Sequence, residues 1–111
     1  MAGLRGLTLG DARLYAVSVD SPETNRTFIE KLEADGKGRI RFSLLSDPGS
    51  ATIDRYGLRD PAYAGSDYDG IPHPAVFVID GKGTVRWARI EKDYRQRPAL
   101  SEVQKALDAV K

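Results

Sequence analysis

An apolar run, Leu14-Tyr15-Ala16-Val17-Ser18-Val19, stops abruptly at Asp20-Ser21-Pro22-Glu23. That pattern reads as a strand buried on both faces that turns directly into a helix. Ser21 suits the N-cap, Pro22 gives up no needed N–H at the first helical position, and Glu23 complements the positive end of the helix dipole. Phe28, Ile29 and Leu32 form the inward face of a helix over Pro22–Ala34, and Gly36 with Gly38 ends it. Arg41-Phe42-Ser43-Leu44-Leu45 then reads as a short edge strand closed by the turn Ser46-Asp47-Pro48-Gly49. Strand, helix and strand make a βαβ unit. Its crossover is expected to be right-handed, with the two strands parallel in one sheet.

Ser50 to Gly57 follows as a helix of about two turns with Gly57 as its left-handed stop. From Leu58 to Pro74 the chain carries Pro61, Gly65, Gly70, Pro72 and Pro74 and shows no periodicity. A connection beyond ~12–15 residues inside one domain is usually functional or mobile, which draws attention to this one. It leads into the apolar strand Ala75–Asp80, a Gly81-Lys82-Gly83 turn and a second strand over Thr84–Ile90, predicting a β-hairpin. Alternation in the second strand separates Val85, Trp87 and Arg89 from Arg86, Ala88 and Ile90, so it is less buried than its partner. Leu100, Val103, Leu107 and Val110 form the stripe of a C-terminal helix. Pro98 and a Ser101/Gln104 capping box offer two alternative starts.

The chain therefore reads as one α/β domain, which suits 111 residues. Lys and Arg number 17 against 16 Asp and Glu, a balance without the clustered positive charge that nucleic acid requires. The absence of cysteine removes disulfides, thiolate metal sites and every cysteine nucleophile, and one histidine cannot make a His cluster. No metal or other cofactor is implied. No window approaches the ~18 apolar residues of a membrane span, and Met1-Ala2-Gly3-Leu4-Arg5-Gly6-Leu7 has no signal-peptide core, so a cytoplasmic location is expected.

His73, between Pro72 and Pro74, is the candidate proton donor, set against a solvent-exposed loop histidine. Asp47, Asp60, Asp67 and Asp69 lack the spacing of a calcium loop and read as turn-formers. Lys92-Asp93-Tyr94-Arg95-Gln96-Arg97 reads as a solvated connector rather than an anion site. Tyr56, Tyr63 and Tyr68 read as packing groups that fold the long loop down. Gly81-Lys82-Gly83-Thr84 joins two strands and opens no helix, which excludes a phosphate loop.

Taken in order, Tyr15 to Glu23, Phe42-Ser43-Leu44-Leu45-Ser46-Asp47-Pro48, Tyr56-Gly57 and Ile71-Pro72-His73-Pro74-Ala75-Val76-Phe77-Val78-Ile79-Asp80-Gly81-Lys82-Gly83 resemble the peroxiredoxins. The resemblance is to the alkyl hydroperoxide reductase/thiol-specific antioxidant branch of the thioredoxin-like superfamily. It runs from about Leu14 to the C-terminus, and the motifs are specific as a set. It implies an incomplete thioredoxin-like fold: a mixed sheet built from the parallel βαβ unit, the β-hairpin and the C-terminal helix.

In that family a strand, a loop and a helix start carrying the redox cysteine precede the matching region. Leu4-Arg5-Gly6-Leu7 resembles the far end of that helix, so residues 1–111 are expected to be a single domain lacking its first strand and its cysteine segment. The family thiolate attacks a peroxide or disulfide and is then resolved by a second thiol, steps that a cysteine-free chain cannot perform. Peroxiredoxins carry an arginine just before the Phe-Val-Ile-Asp-like strand, whereas thioredoxins carry a cis-proline there. Pro74 resembles the thioredoxin pattern, which makes Pro72, His73 and Pro74 a cis-proline loop beside the redox site and disulfide reduction a competitor to peroxide reduction.

The absent strand would run between Leu14–Val19 and Ala75–Asp80. Three outcomes are expected for that gap: the strands close up as an antiparallel pair, a second copy or another chain supplies a strand, or the chain folds marginally. The full-length family uses a thioredoxin-like reductant as partner; nucleic acid and membrane are not expected. The alternative to this enzyme lineage is a non-catalytic thioredoxin-like interaction module.

Overall fold

A computed structural model describes residues 4, 6–36, 38–40, 42–93 and 95–110. The first element, β1 (Tyr15–Ser18), leads into helix α1 (Pro22–Glu33), and β2 (Ser43–Ser46) returns parallel to β1 with Val17 opposite Leu45. A turn of 3₁₀ helix over Pro48–Ser50 precedes α2 (Ala51–Arg55). After the long connection, β3 (Ala75–Ile79) and β4 (Val85–Ile90) form an antiparallel hairpin with a register shift between Val78 and Ile79. Helix α3 (Leu100–Val110) completes the order. The parallel unit, the hairpin and the C-terminal helix are those of a partial thioredoxin-like fold.

The α1 boundaries follow from its first turn. Ser21 is the N-cap, its hydroxyl accepting from the Thr24 amide at 3.2 Å, and Pro22 opens the helix. The face turned to the sheet differs from the periodicity: Asn25 is the buried residue, whereas Phe28 is exposed. The Asn25 carboxamide explains this. Its Oδ1 accepts from the Ser18 hydroxyl at 2.7 Å and its Nδ2 donates to the Ser46 hydroxyl at 2.9 Å, so one side chain ties α1 to both parallel strands. A buried amide satisfied on both sides fixes a single register, where an apolar contact would tolerate sliding.

The parallel strands are not buried on both faces. Tyr15 is 54% exposed, and Val17 and Leu45 are each 45% exposed, because α1 covers only the opposite face, which Ala16, Ser18, Leu44 and Ser46 share. Arg41, expected to open β2, lies outside the described residues, as do Met1, Ala2, Gly3, Arg5 and Tyr94.

Among the described residues, β1 pairs only with β2 and β3 only with β4, giving two two-stranded sheets and not one continuous mixed sheet. The close-up of β1 on β3 as an antiparallel pair does not occur. Each of these strands keeps one edge without a ladder partner among the described residues, and an isolated two-stranded pair is marginal in water. Among the described residues, the buried apolar ones are Ile53, Leu58, Val78 and Val103. A Cα radius of gyration of 14.5 Å exceeds the ~13 Å of a fully compact chain of this size, in keeping with so thin a core.

Helix α3 begins at Leu100, between the two starts the sequence offered. Gln104 makes no capping box. Its Oε1 accepts from the Thr8 amide at 2.8 Å and its Nε2 donates to the Thr8 carbonyl at 3.0 Å, binding the N-terminal segment to the helix as a neighbouring strand would. Leu100, expected in the buried stripe, is 37% exposed, while Val103 is buried. No described helix is long and apolar enough to cross a membrane.

Candidate functional site: the loop that feeds the hairpin

The connection from Leu58 to Pro74 folds on a short ladder at its base. Arg59 and Pro72 form an antiparallel bridge, the Asp60 amide donates to the Ile71 carbonyl at 3.0 Å, and the His73 amide donates to the Leu58 carbonyl at 2.7 Å. Proline can occupy position 72 because its missing N–H is not called upon there. The Glu91 amide donates to the Pro74 carbonyl at 2.8 Å, which joins the end of the loop to the hairpin ladder.

This ladder places Pro72, His73 and Pro74 side by side at the entry to β3. The cis-proline expectation is corrected: the described peptide bonds are all trans. His73 is also not the solvent-exposed loop residue expected. Its side chain is only 20% exposed, and Nδ1 lies 3.5 Å from Oδ2 of Asp60, close but without the alignment of a hydrogen bond.

Asp60 itself is buried, and its Oδ1 accepts from the Ala62 amide at 2.9 Å as cap of the 3₁₀ turn Pro61–Tyr63. The loop thus brings an imidazole close to a buried carboxylate without a hydrogen bond between them, and a nucleophile would have to come from elsewhere. Sequence spacing did not reveal this pair. Asp60 and His73 are far apart in the chain and meet only through the ladder between them.

The remaining loop carboxylates act as turn and ion-pair groups. Arg59 reaches both Asp54 (Nε to Oδ1, 2.7 Å; Nη2 to Oδ2, 2.8 Å) and Asp69 (Nη1 to Oδ1, 3.1 Å), clamping α2 to the far side of the loop. Beneath the clamp the buried Ser50 hydroxyl donates to the Gly70 carbonyl at 2.9 Å. Ser50 adopts φ 61°, a left-handed conformation that costs an ordinary residue ~1–2 kcal/mol, and the hydroxyl bond offsets part of that cost. Gly70 is required opposite it: φ is 102°, and a Cβ would sit 2.5 Å from the Ser50 oxygen. Tyr63 and Tyr68 meet edge to face at 6.3 Å, and Tyr56 meets Phe77 at 5.5 Å, consistent with a packing role for these rings. No group of acidic and histidine residues among the described residues has the arrangement of a metal site.

The clamp has a definite response to acid. The Arg59 hydrogen bond is the main cause holding the Asp54 carboxyl below its ordinary value of 3.8, and the Gly65 amide, followed by Arg59, does so for Asp69. A carboxyl with a depressed folded-state pKa contributes stability that is complete above its unfolded value and lost as pH falls through the folded one. Amide protection within residues 58–74 is therefore expected to drop below about pH 4, while at neutral pH Arg59→Ala produces the same loss. Hydrogen exchange, expressed as protection factors, checks this. Loop protection that is unchanged down to pH 2 would contradict the clamp.

The parallel βαβ unit, the proline-rich loop entering a hairpin and the closing helix together define a thioredoxin-like α/β protein. The AhpC/TSA family model matches residues 7–88, from the N-terminal segment into β4, and the chain belongs to the AhpC/TSA family. The match begins ahead of the motifs from which the resemblance was read and stops before α3. No curated protein matches the chain.

Proposed function

We propose that residues 1–111 form the C-terminal portion of a peroxiredoxin-type domain whose whole-domain chemistry is thiol-dependent reduction of a peroxide or a disulfide in an antioxidant role. Membership of the AhpC/TSA family in a chain without cysteine carries this reading. The chain's only sulfur is the thioether of Met1, which cannot form the thiolate that opens a peroxide or disulfide bond. Residues 1–111 are therefore inactive alone.

The separate sheets support that reading, since the resemblance puts the strand that precedes the redox cysteine between β1 and β3, which have no ladder with each other among the described residues. Pro72, His73 and Pro74 then lie beside the redox site as a trans loop. Pro74, in place of an arginine, makes disulfide reduction a competitor to peroxide reduction. The reductant is a thioredoxin-like protein and the location is the cytoplasm.

A peroxide-consumption assay coupled to thioredoxin and its reductase tests the proposal. Residues 1–111 are expected to give no turnover above the protein-free rate, and cysteine-independent turnover would overturn it. A reading frame continuing upstream into an apolar strand and a cysteine would assign the activity to the longer chain.

One observation favours a second reading, a non-catalytic interaction module. Strands β1 and β3 carry no charged residue, whereas β4 carries Arg86 and Arg89. Charges on an edge strand discourage pairing with other chains, and their absence leaves β1 and β3 receptive to a strand from a second copy or another protein. Size-exclusion chromatography tests pairing with a second copy, which a stable, cooperatively folding monomer would eliminate.

A further inference from the structure

We draw no further inference here: the strongest candidate, the exposed apolar face of the β1–β2 pair formed by Tyr15, Val17 and Leu45, carries none because nothing in the structure shows what covers it.

Discussion

Ile53→Ala is expected to lower the stability of the chain by about 2–5 kcal/mol, the cost of removing a buried aliphatic side chain and leaving a cavity that the surroundings fill incompletely. Ile53 projects from α2 and is only 4% exposed, among the most enclosed apolar residues of the fold. Its loss falls on a core whose other buried apolar members are Leu58, Val78 and Val103. Small domains have a net stability of ~5–15 kcal/mol, and a chain with two narrow sheets belongs at the low end, so this substitution removes a large share of the total. Urea denaturation followed by far-UV circular dichroism measures it. The expected result is a large fall in the midpoint, with Ile53→Val losing only about 0.5–1.5 kcal/mol. A loss below 1 kcal/mol for the alanine variant would mean that α2 does not help hold the fold together.

Asp47→Ala is expected to cost about 2–3 kcal/mol, more than an ordinary helix cap, because its carboxylate serves two amides at once in a buried position. Oδ1 accepts from the Thr52 amide at 3.1 Å and Oδ2 from the Ile53 amide at 2.8 Å, while the Asp47 amide donates to the Ser18 carbonyl at 2.7 Å. One residue thus anchors the start of α2 to the end of the parallel strand pair. Alanine would strand the buried Ile53 N–H and leave the part-buried Thr52 N–H without this acceptor. Asparagine keeps one carbonyl acceptor and should lose about half as much. Equal losses for Asn and Ala in the same denaturation experiment would show that the negative charge, and not the number of acceptors, is what matters at this position.

The parts legible in the sequence are those set by local chemistry. Ser21-Pro22-Glu23 marked the start of α1 because the cap, the proline and the acid all act within one turn. The Gly57 stop appears with φ 69°, and the Gly81-Lys82-Gly83 turn joins β3 to β4. What periodicity misjudged was which faces have something to bury against. Phe28, Val17 and Leu45 are apolar, and each lies exposed because no described element covers its side of the fold. The inward position on α1 went instead to Asn25, whose value lies in pairing with two serines on separate strands. That is tertiary information, invisible to a hydrophobic pattern.

The candidate loop was half legible. Its length, prolines and lack of periodicity singled out Leu58–Pro74, and resemblance singled out Pro72, His73 and Pro74. The contact of His73 with Asp60, the double ion pair of Arg59 and the Ser50–Gly70 bond depend on a ladder between distant residues, which spacing along the chain does not encode. The resemblance made Pro72, His73 and Pro74 a cis-proline-type loop without deciding the isomer of Pro74, and the described peptide bonds are all trans.

β1–β2 and β3–β4 are two halves of a thioredoxin-like sheet that share no ladder among the described residues. Residue-resolved hydrogen exchange on a sample shown to be monomeric by size exclusion tests it most directly. Amides within the β1–β2 and β3–β4 ladders are expected to be protected, and the alternate amides of β1 and β3 that point to the open edges to exchange at near-intrinsic rates. Protection of those outward amides in the monomer, equal to that within the ladders, would contradict it.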